Sequence, residues 1–191
     1  MRIIAGSAKG AKLNAPAGLT TRPTSDRVRE SLFNIISHDL WGAHFLDLFA
    51  GSGAVGLEAI SRGAALAVFA DSRAECICII NKNAEKTRLR DRARILPMEA
   101  SKAIRILSRE GQVFDLVYLD PPYHNKKGKN MVFWALEEIE AHSLIEAESL
   151  IIAERDGTKE HNSINGIPPY FELVREERYG NTVLEFIRKR S

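Results

Sequence analysis

The chain predicts an α/β fold: a seven-stranded, mostly parallel sheet covered by helices on both faces and ending in an antiparallel hairpin. Three observations carry this. From residue 44 onward short apolar runs alternate with stretches of helical periodicity, the pattern of right-handed βαβ crossovers. A glycine loop, Gly51-Ser52-Gly53-Ala54-Val55-Gly56, joins the first run to the first of those helices. Only Gly180-Asn181 separates the last two strand-like runs, a two-residue hairpin signal.

Residues 2–13 alternate loosely, with bends at Gly6 and Gly10, and read as a small hairpin or extended arm. Residues 22–36 read as a helix. Pro23 with Thr24 or Ser25 supplies its start, and Asp26 favours the positive end of the helix dipole. Val28, Leu32, Ile35 and Ile36 form one apolar stripe, which leaves Arg27 and Arg29 to project towards a partner or solvent. The body then reads as strands at 45–49, 66–70, 95–96, 113–119 and 150–153, with helices at 54–62, 74–88, 101–108 and 131–140 between them. A loop over 156–168 leads to the hairpin strands at 171–179 and 182–188.

At 191 residues, 45% hydrophobic and 27% charged, the composition is that of a globular domain able to bury a core without disulfides. No apolar run approaches the roughly 18 residues of a membrane span, and the N-terminus lacks the pattern of a secretion signal. The two cysteines, Cys76 and Cys78, read as reduced thiols of a cytoplasmic protein, and the five histidines have no metal-ligand spacing. Net charge is +2 but unevenly spread. Residues 1–31 carry six basic groups (Arg2, Lys9, Lys12, Arg22, Arg27, Arg29) against Asp26 and Glu30; the other 160 residues carry 21 basic and 23 acidic groups. This divides the chain into a basic arm with its helix, residues 1–37, and a near-neutral body, residues 38–191. Such an arm suits a polyanion approached from one side.

The chemistry is concentrated at strand ends. Asp120-Pro121-Pro122-Tyr123 closes the run at 113–119, and the prolines forbid its continuation. Asp120 and the Pro121 carbonyl can both accept from an amino group, and Tyr123 can stack on a flat heterocycle. The glycine loop matches G-x-G-x-x-G, which by itself admits a dinucleotide. Asp47, four residues before the first glycine, faces a ligand ammonium better than a pyrophosphate, and the loop carries no cationic phosphate clamp. Asp71 ends the second strand, where it can bind a ribose diol with either kind of ligand. Glu99 follows the third strand, placed to accept from an adenine amino group.

In this order, the glycine loop with Asp47, then Asp71, Glu99 and Asp120-Pro121-Pro122-Tyr123 resemble a class I S-adenosylmethionine-dependent methyltransferase of Rossmann-like fold. With the opening Arg2-Ile-Ile-Ala-Gly6 and the segment from Arg22 to Asn34, nearly the whole chain resembles the RsmD family, bacterial enzymes that methylate a guanine N2 of 16S ribosomal RNA. The resemblance implies S-adenosylmethionine as cofactor. It implies that Gly51, Ser52 and Gly53, with Asp47 and Phe49 beside them, line its methionine part. Asp71 with Ser72 would hold the ribose, and Glu99 with Ala100 the adenine. Arg73 stands where family members often carry a second acid, and Pro97-Met98 replaces a more polar pair.

The same resemblance makes Asp120, Pro121, Pro122 and Tyr123 the catalytic group. Phosphate contacts would come from Arg27 and Arg29 and from Lys126 and Lys127 in the loop after Tyr123; Arg22 and Thr24 stand as contacts to either RNA or cofactor. The partner is 16S rRNA within a small subunit or assembly particle, with no membrane, no metal and a monomeric protein. Other readings are a DNA adenine-N6 methyltransferase, since D-P-P-Y serves that amine too, a non-catalytic RNA-binding protein of the same fold and, at a distance, an NAD oxidoreductase.

Overall fold

Residues 67–70, 116–119 and 150–153 are almost entirely shielded from water, as strands covered on both faces must be. The computed structural model describes residues 1–16, 24–121, 130–158 and 167–190. In it the strands are β1 (His44–Asp47), β2 (Leu66–Ala70), β3 (Ala93–Leu96), β4 (Leu116–Leu119), β5 (Leu150–Asp156), β6 (Phe171–Tyr179) and β7 (Thr182–Lys189). They form one seven-stranded sheet in the order β3-β2-β1-β4-β5-β7-β6. The first five positions are parallel, and β7 runs antiparallel to both β5 and β6. The predicted class and its closing hairpin are therefore both present, with Tyr179 and Thr182 paired across Gly180-Asn181.

Helices α1 (Asp26–Ile35), α2 (Ala54–Arg62) and α3 (Ala74–Lys86) cover one face, packing Leu32, Phe33, Leu57, Ile60 and Ile80 against Phe45, Phe69 and Tyr118. Helices α4 (Ala100–Arg109) and α5 (Met131–Ala141) cover the other, where Ile104, Leu107, Leu136 and Ile139 meet Val68, Val117 and Ile151. Chain progression moves outward from β1 through β2 to β3, then returns to β4 on the other side of β1. The C-terminal ends of β1 and β4 thus flank the point where strand order reverses, the place where open α/β sheets hold ligands.

Several boundaries differ from the sequence reading, three of them for a clear local reason. Helix α1 starts at Asp26 because Ser25 caps it, its side chain accepting from the Val28 N–H at 3.3 Å. The run at 113–119 enters the sheet only at Leu116, since the Phe114 N–H is spent on the Leu144 carbonyl at 2.9 Å. β5 continues to Asp156 because β7 supplies a ladder beyond the reach of β4, pairing Glu154, Arg155 and Asp156 with Leu184, Val183 and Thr182.

The N-terminal residues form the expected small hairpin-like arm. Ile3 and Ala11 exchange a backbone bond of 2.9 Å, and an isolated bridge joins Arg2 to Lys12. The arm docks on α2 through the Ile4 and Ala5 N–H groups, which donate to the Glu58 carboxylate at 2.8 and 2.9 Å.

Candidate active site

The glycine loop is built by two different demands. Gly51 and Gly53 both adopt left-handed backbone, with φ of 56° and 74°, and turn the chain sharply from β1 into α2. Gly56 lies inside α2, where a Cβ would fall 2.4 Å from the Phe69 ring of β2; only hydrogen lets helix and sheet approach this closely. Gly53 is the N-cap of α2 and supplies no capping side chain, so the N–H groups of the first turn are left to partners from outside the helix. Asp47, the last residue of β1, is buried there and accepts from the Gly56 N–H at 3.3 Å. Burial pushes its carboxyl up from an ordinary 3.8 to about 7, against the pull of that N–H, and the charge of Asp71 adds to the rise.

Asp71 follows β2 and turns back under the loop. Its Oδ2 accepts from the Gly51 N–H at 2.9 Å, which fixes the loop against the second strand end. The same carboxylate accepts from the Arg73 side chain at 3.1 Å and 3.0 Å, so this arginine closes over Asp71. Ser72 is exposed between them, and Ser52 is half-exposed on the loop. Behind the loop, Asn83 of α3 donates to the Ser52 carbonyl at 2.9 Å and the Asn14 carbonyl at 3.0 Å, joining the glycine loop to the N-terminal arm. Phe49 is half-buried against the core on the α4 side. Glu99 is exposed at the N-cap of α4, with Ala100 buried behind it.

Asp120 stands at the end of β4, half-buried, with Pro121 buried after it. Register places its neighbours. Asp47 lies opposite Tyr118, Tyr118 opposite Ile152, and Leu119 opposite Ala153. Since alternate residues of a strand share a face, Asp47, Tyr118, Asp120 and Glu154 all point to the α1 side. Withdrawal from water, then the charges of Glu154 and Asp47, push the Asp120 carboxyl well above the usual range. Burial raises Glu154 as well, opposed by the hydroxyls of Tyr118 and Thr24, which both donate to its Oε2, the latter at 2.8 Å. Tyr118 rises well above 10 through burial and the two carboxylates.

Thr24 is half-buried, and its hydroxyl donates to Glu154 and meets that of Tyr118 at 3.2 Å. One predicted substrate contact is corrected here. Arg29, expected to project towards a partner or solvent, is completely buried. It donates to the Thr24 and Arg2 carbonyls and to Asp26, and lies 4.0 Å from Glu58. Position 29 directly follows Val28 on the apolar stripe, and the arm closes over it. Arg27 is exposed, as expected. The expectations for Arg22, Pro122, Tyr123, Lys126 and Lys127 lie outside the described residues.

A loop tied to two strand-end acids, in the crevice of a sheet of this order, is one arrangement with many owners, and comparison with known proteins narrows it. A family model described as "Conserved hypothetical protein 95" matches residues 1–188. The chain belongs to this family, the RsmD family. It is 36% identical over 190 residues to the protein YlbH of Bacillus subtilis (strain 168), with the whole of both chains covered. It is 32% identical over 189 residues to "Ribosomal RNA small subunit methyltransferase D" of Escherichia coli (strain K12), covering 99% of this chain and 90% of that one. The solved structure of yhhF from Escherichia coli superposes with a TM-score of 0.82 at 30% identity, covering 99% of this chain and 97% of that one.

In this member of the RsmD family, sequence reasoning passed over Tyr118, Glu154 and Asn83. For Glu154 the signal was present: like Asp47, Asp71 and Asp120 it is an acid that ends an apolar run, here 150–153. Asn83 carries no such mark, because its role depends on two carbonyls 69 and 31 residues away.

Proposed function

We propose that the protein transfers the methyl group of S-adenosylmethionine to the exocyclic N2 of a guanine in 16S rRNA, within a small subunit or an assembly particle. The observation that carries this reading is the placement of Asp47 and Asp120 on one face of adjacent strand ends, beside the glycine-capped start of α2. The donor set fits the cofactor. Asp47 is a buried carboxyl that among the described residues meets no cation, which suits the ammonium of a methionine tail. Asp71 offers its carboxylate to a ribose diol once Arg73 swings aside, and Glu99 with Ala100 borders the third strand for the base. The bound cofactor supplies a methyl group already activated on a sulfonium.

The residues of this chain then have to position an amine. The lone pair of a guanine amino nitrogen is delocalised into the ring. Hydrogen bonds from its N–H groups to Asp120 and the Pro121 carbonyl favour a pyramidal nitrogen with its lone pair free. Orientation of this kind is worth effective molarities of up to ~10⁵–10⁸ M, so little acid or base assistance is needed. Tyr123 would stack on the extruded base, contributing ~1–3 kcal/mol. Arg27, with Arg22, Lys126 and Lys127, would neutralise phosphates. Ribosomal RNA is favoured over DNA because a relative in Escherichia coli is named for small-subunit rRNA; the choice of guanine over adenine rests on the resemblance carried by Arg2-Ile-Ile-Ala-Gly6 and the segment from Arg22 to Asn34.

The test is to offer labelled S-adenosylmethionine with naked 16S rRNA, small subunits and DNA, and to map the labelled base. Label on a guanine N2 of 16S rRNA is expected; label on DNA adenine, or on no nucleic acid, refutes the reading. Asp120→Ala should abolish transfer while calorimetry still detects cofactor binding.

A further inference from the structure

Asp120 and Glu154 are the next pair along β4 and β5 after Leu119 and Ala153. Neighbouring strands lie ~4.8 Å apart, so two carboxyls at such positions project side by side. Among the described residues, the titratable groups that act on them are acidic: Asp47 from β1 with Asp71 beyond it, Tyr118 from β4 and Glu154 from β5. No ion pair among the described residues reaches Asp47, Asp120 or Glu154. The pair is nevertheless unequal. Glu154 Oε2 accepts two hydroxyls, those of Tyr118 and Thr24, whereas no hydrogen bond from a described residue reaches the Asp120 carboxyl. Donors to a carboxylate favour its charged form. Negative charge therefore settles on Glu154, and the proton the pair retains settles on Asp120.

We propose that Glu154 is a positioning residue of the transfer reaction: its charge, held beside Asp120 by the hydroxyls of Tyr118 and Thr24, makes Asp120 the acceptor of the proton that the methylated amine must shed. The inference rests on the function proposed above. When the new N–C bond forms and the C–S bond breaks, the electron pair of the broken bond stays on sulfur and the nitrogen carries one proton too many. That proton moves to an Asp120 oxygen and from there to water. The reacting form of Asp120 is the carboxylate, reached from the protonated resting form as pH rises. Ionised beside Glu154, it is a stronger base than a lone aspartate.

Carboxyl ¹³C NMR on the unliganded protein reads the Asp120 titration directly, and kcat against pH reads its consequence. In Glu154→Gln, Asp120 should titrate at least one pH unit lower than in the unaltered protein. The rising limb of kcat should move the same way, and plateau kcat should fall roughly tenfold with KM for the cofactor changed less than twofold. Glu154→Asp, which keeps the charge, should restore most of the limb. Thr24→Val removes one hydroxyl from Glu154 and shifts part of the proton onto it, so some of the Asp120 titration should appear at lower pH. An Asp120 titration unchanged in both Glu154→Gln and Thr24→Val overturns the proposal even if rRNA is methylated. An unaltered protein that labels no rRNA overturns the substrate reading even if the titration moves.

Discussion

Replacing Asp47 by Asn should stabilise the unliganded protein at neutral and alkaline pH while impairing cofactor binding. The carboxyl moves from 3.8 to about 7 on folding, chiefly through burial. At about 1.4 kcal/mol per decade this corresponds to about 4 kcal/mol, the extra cost of ionising Asp47 in the folded chain. The sign follows from proton counts. Between about pH 4 and 7 the folded state holds a proton that the unfolded state has lost, so stability falls as pH rises through that window and levels off above it. Asparagine has no charge to develop, and its amide oxygen still accepts from the Gly56 N–H. The two proteins should therefore be nearly equally stable at about pH 3.5 and diverge to about pH 8, where the variant gains up to about 4 kcal/mol. Urea unfolding at half-unit steps of pH, without cofactor, gives both curves from their midpoints and slopes. Saturating S-adenosylmethionine should then raise the stability of the unaltered protein more than that of the variant, because only the former offers a charge to the ligand ammonium. Parallel curves from pH 5 to 8, or a less stable variant at pH 8, would refute the reasoning.

The two arginines of α1 should separate cleanly. Arg29→Ala leaves the Thr24 and Arg2 carbonyls and Asp26 without their buried donor, and should cost about 3–5 kcal/mol, a fall of roughly 6–15 °C in Tm by calorimetry. Arg27→Ala should leave Tm within about 2 °C yet lower the slope of log affinity for RNA against log salt by ~0.7–0.9 per lost phosphate contact; an unchanged slope would remove it from the RNA face. Gly56→Ala drives a methyl group into the Phe69 ring and should cost about 1–3 kcal/mol in urea, with weakened cofactor binding because α2 is pushed off the sheet. Wild-type stability in that variant would show that the helix can move outward freely.

The fold was legible because its signals are local. Apolar runs of strand length, helical stripes and turn residues fix each element without knowledge of the others, and βα alternation then leaves few topologies. The acids Asp47, Asp71 and Asp120 were legible for the same reason, each being the polar residue that stops a run. What could not be read depends on contacts between distant segments. Arg29 looks like a surface arginine until the N-terminal arm covers it and offers the Arg2 carbonyl from 27 residues away. Thr24 reads as a helix-start residue, and its partner Glu154 lies 130 residues on. Glu154 carries the same local mark as the other acids, ending an apolar run at Ala153, but the hydroxyls of Thr24 and Tyr118 that single it out come from distant segments.

The grouping of Asp47, Asp120 and Glu154 bears on whether the Asp120 turn is only a way to end a strand. A turn that served the fold alone could follow β4 with any polar residue, and nothing in packing calls for further carboxyls on the neighbouring strands. Here the same face of three adjacent strands carries three acids, all pushed upward, with no cation from a described residue among them. Burial raises all three, and the charges of Glu154 and Asp47 make Asp120 harder still to ionise, so the arrangement costs stability near neutral pH, where selection for folding would replace them with apolar or amide side chains. Perturbed groups that burden the fold in this way mark functional sites more often than structural ones. A ligand carrying positive charge and an amine that must lose a proton both turn that burden into binding and catalysis, which an NAD-dependent hydride transfer or a passive RNA-binding surface would not.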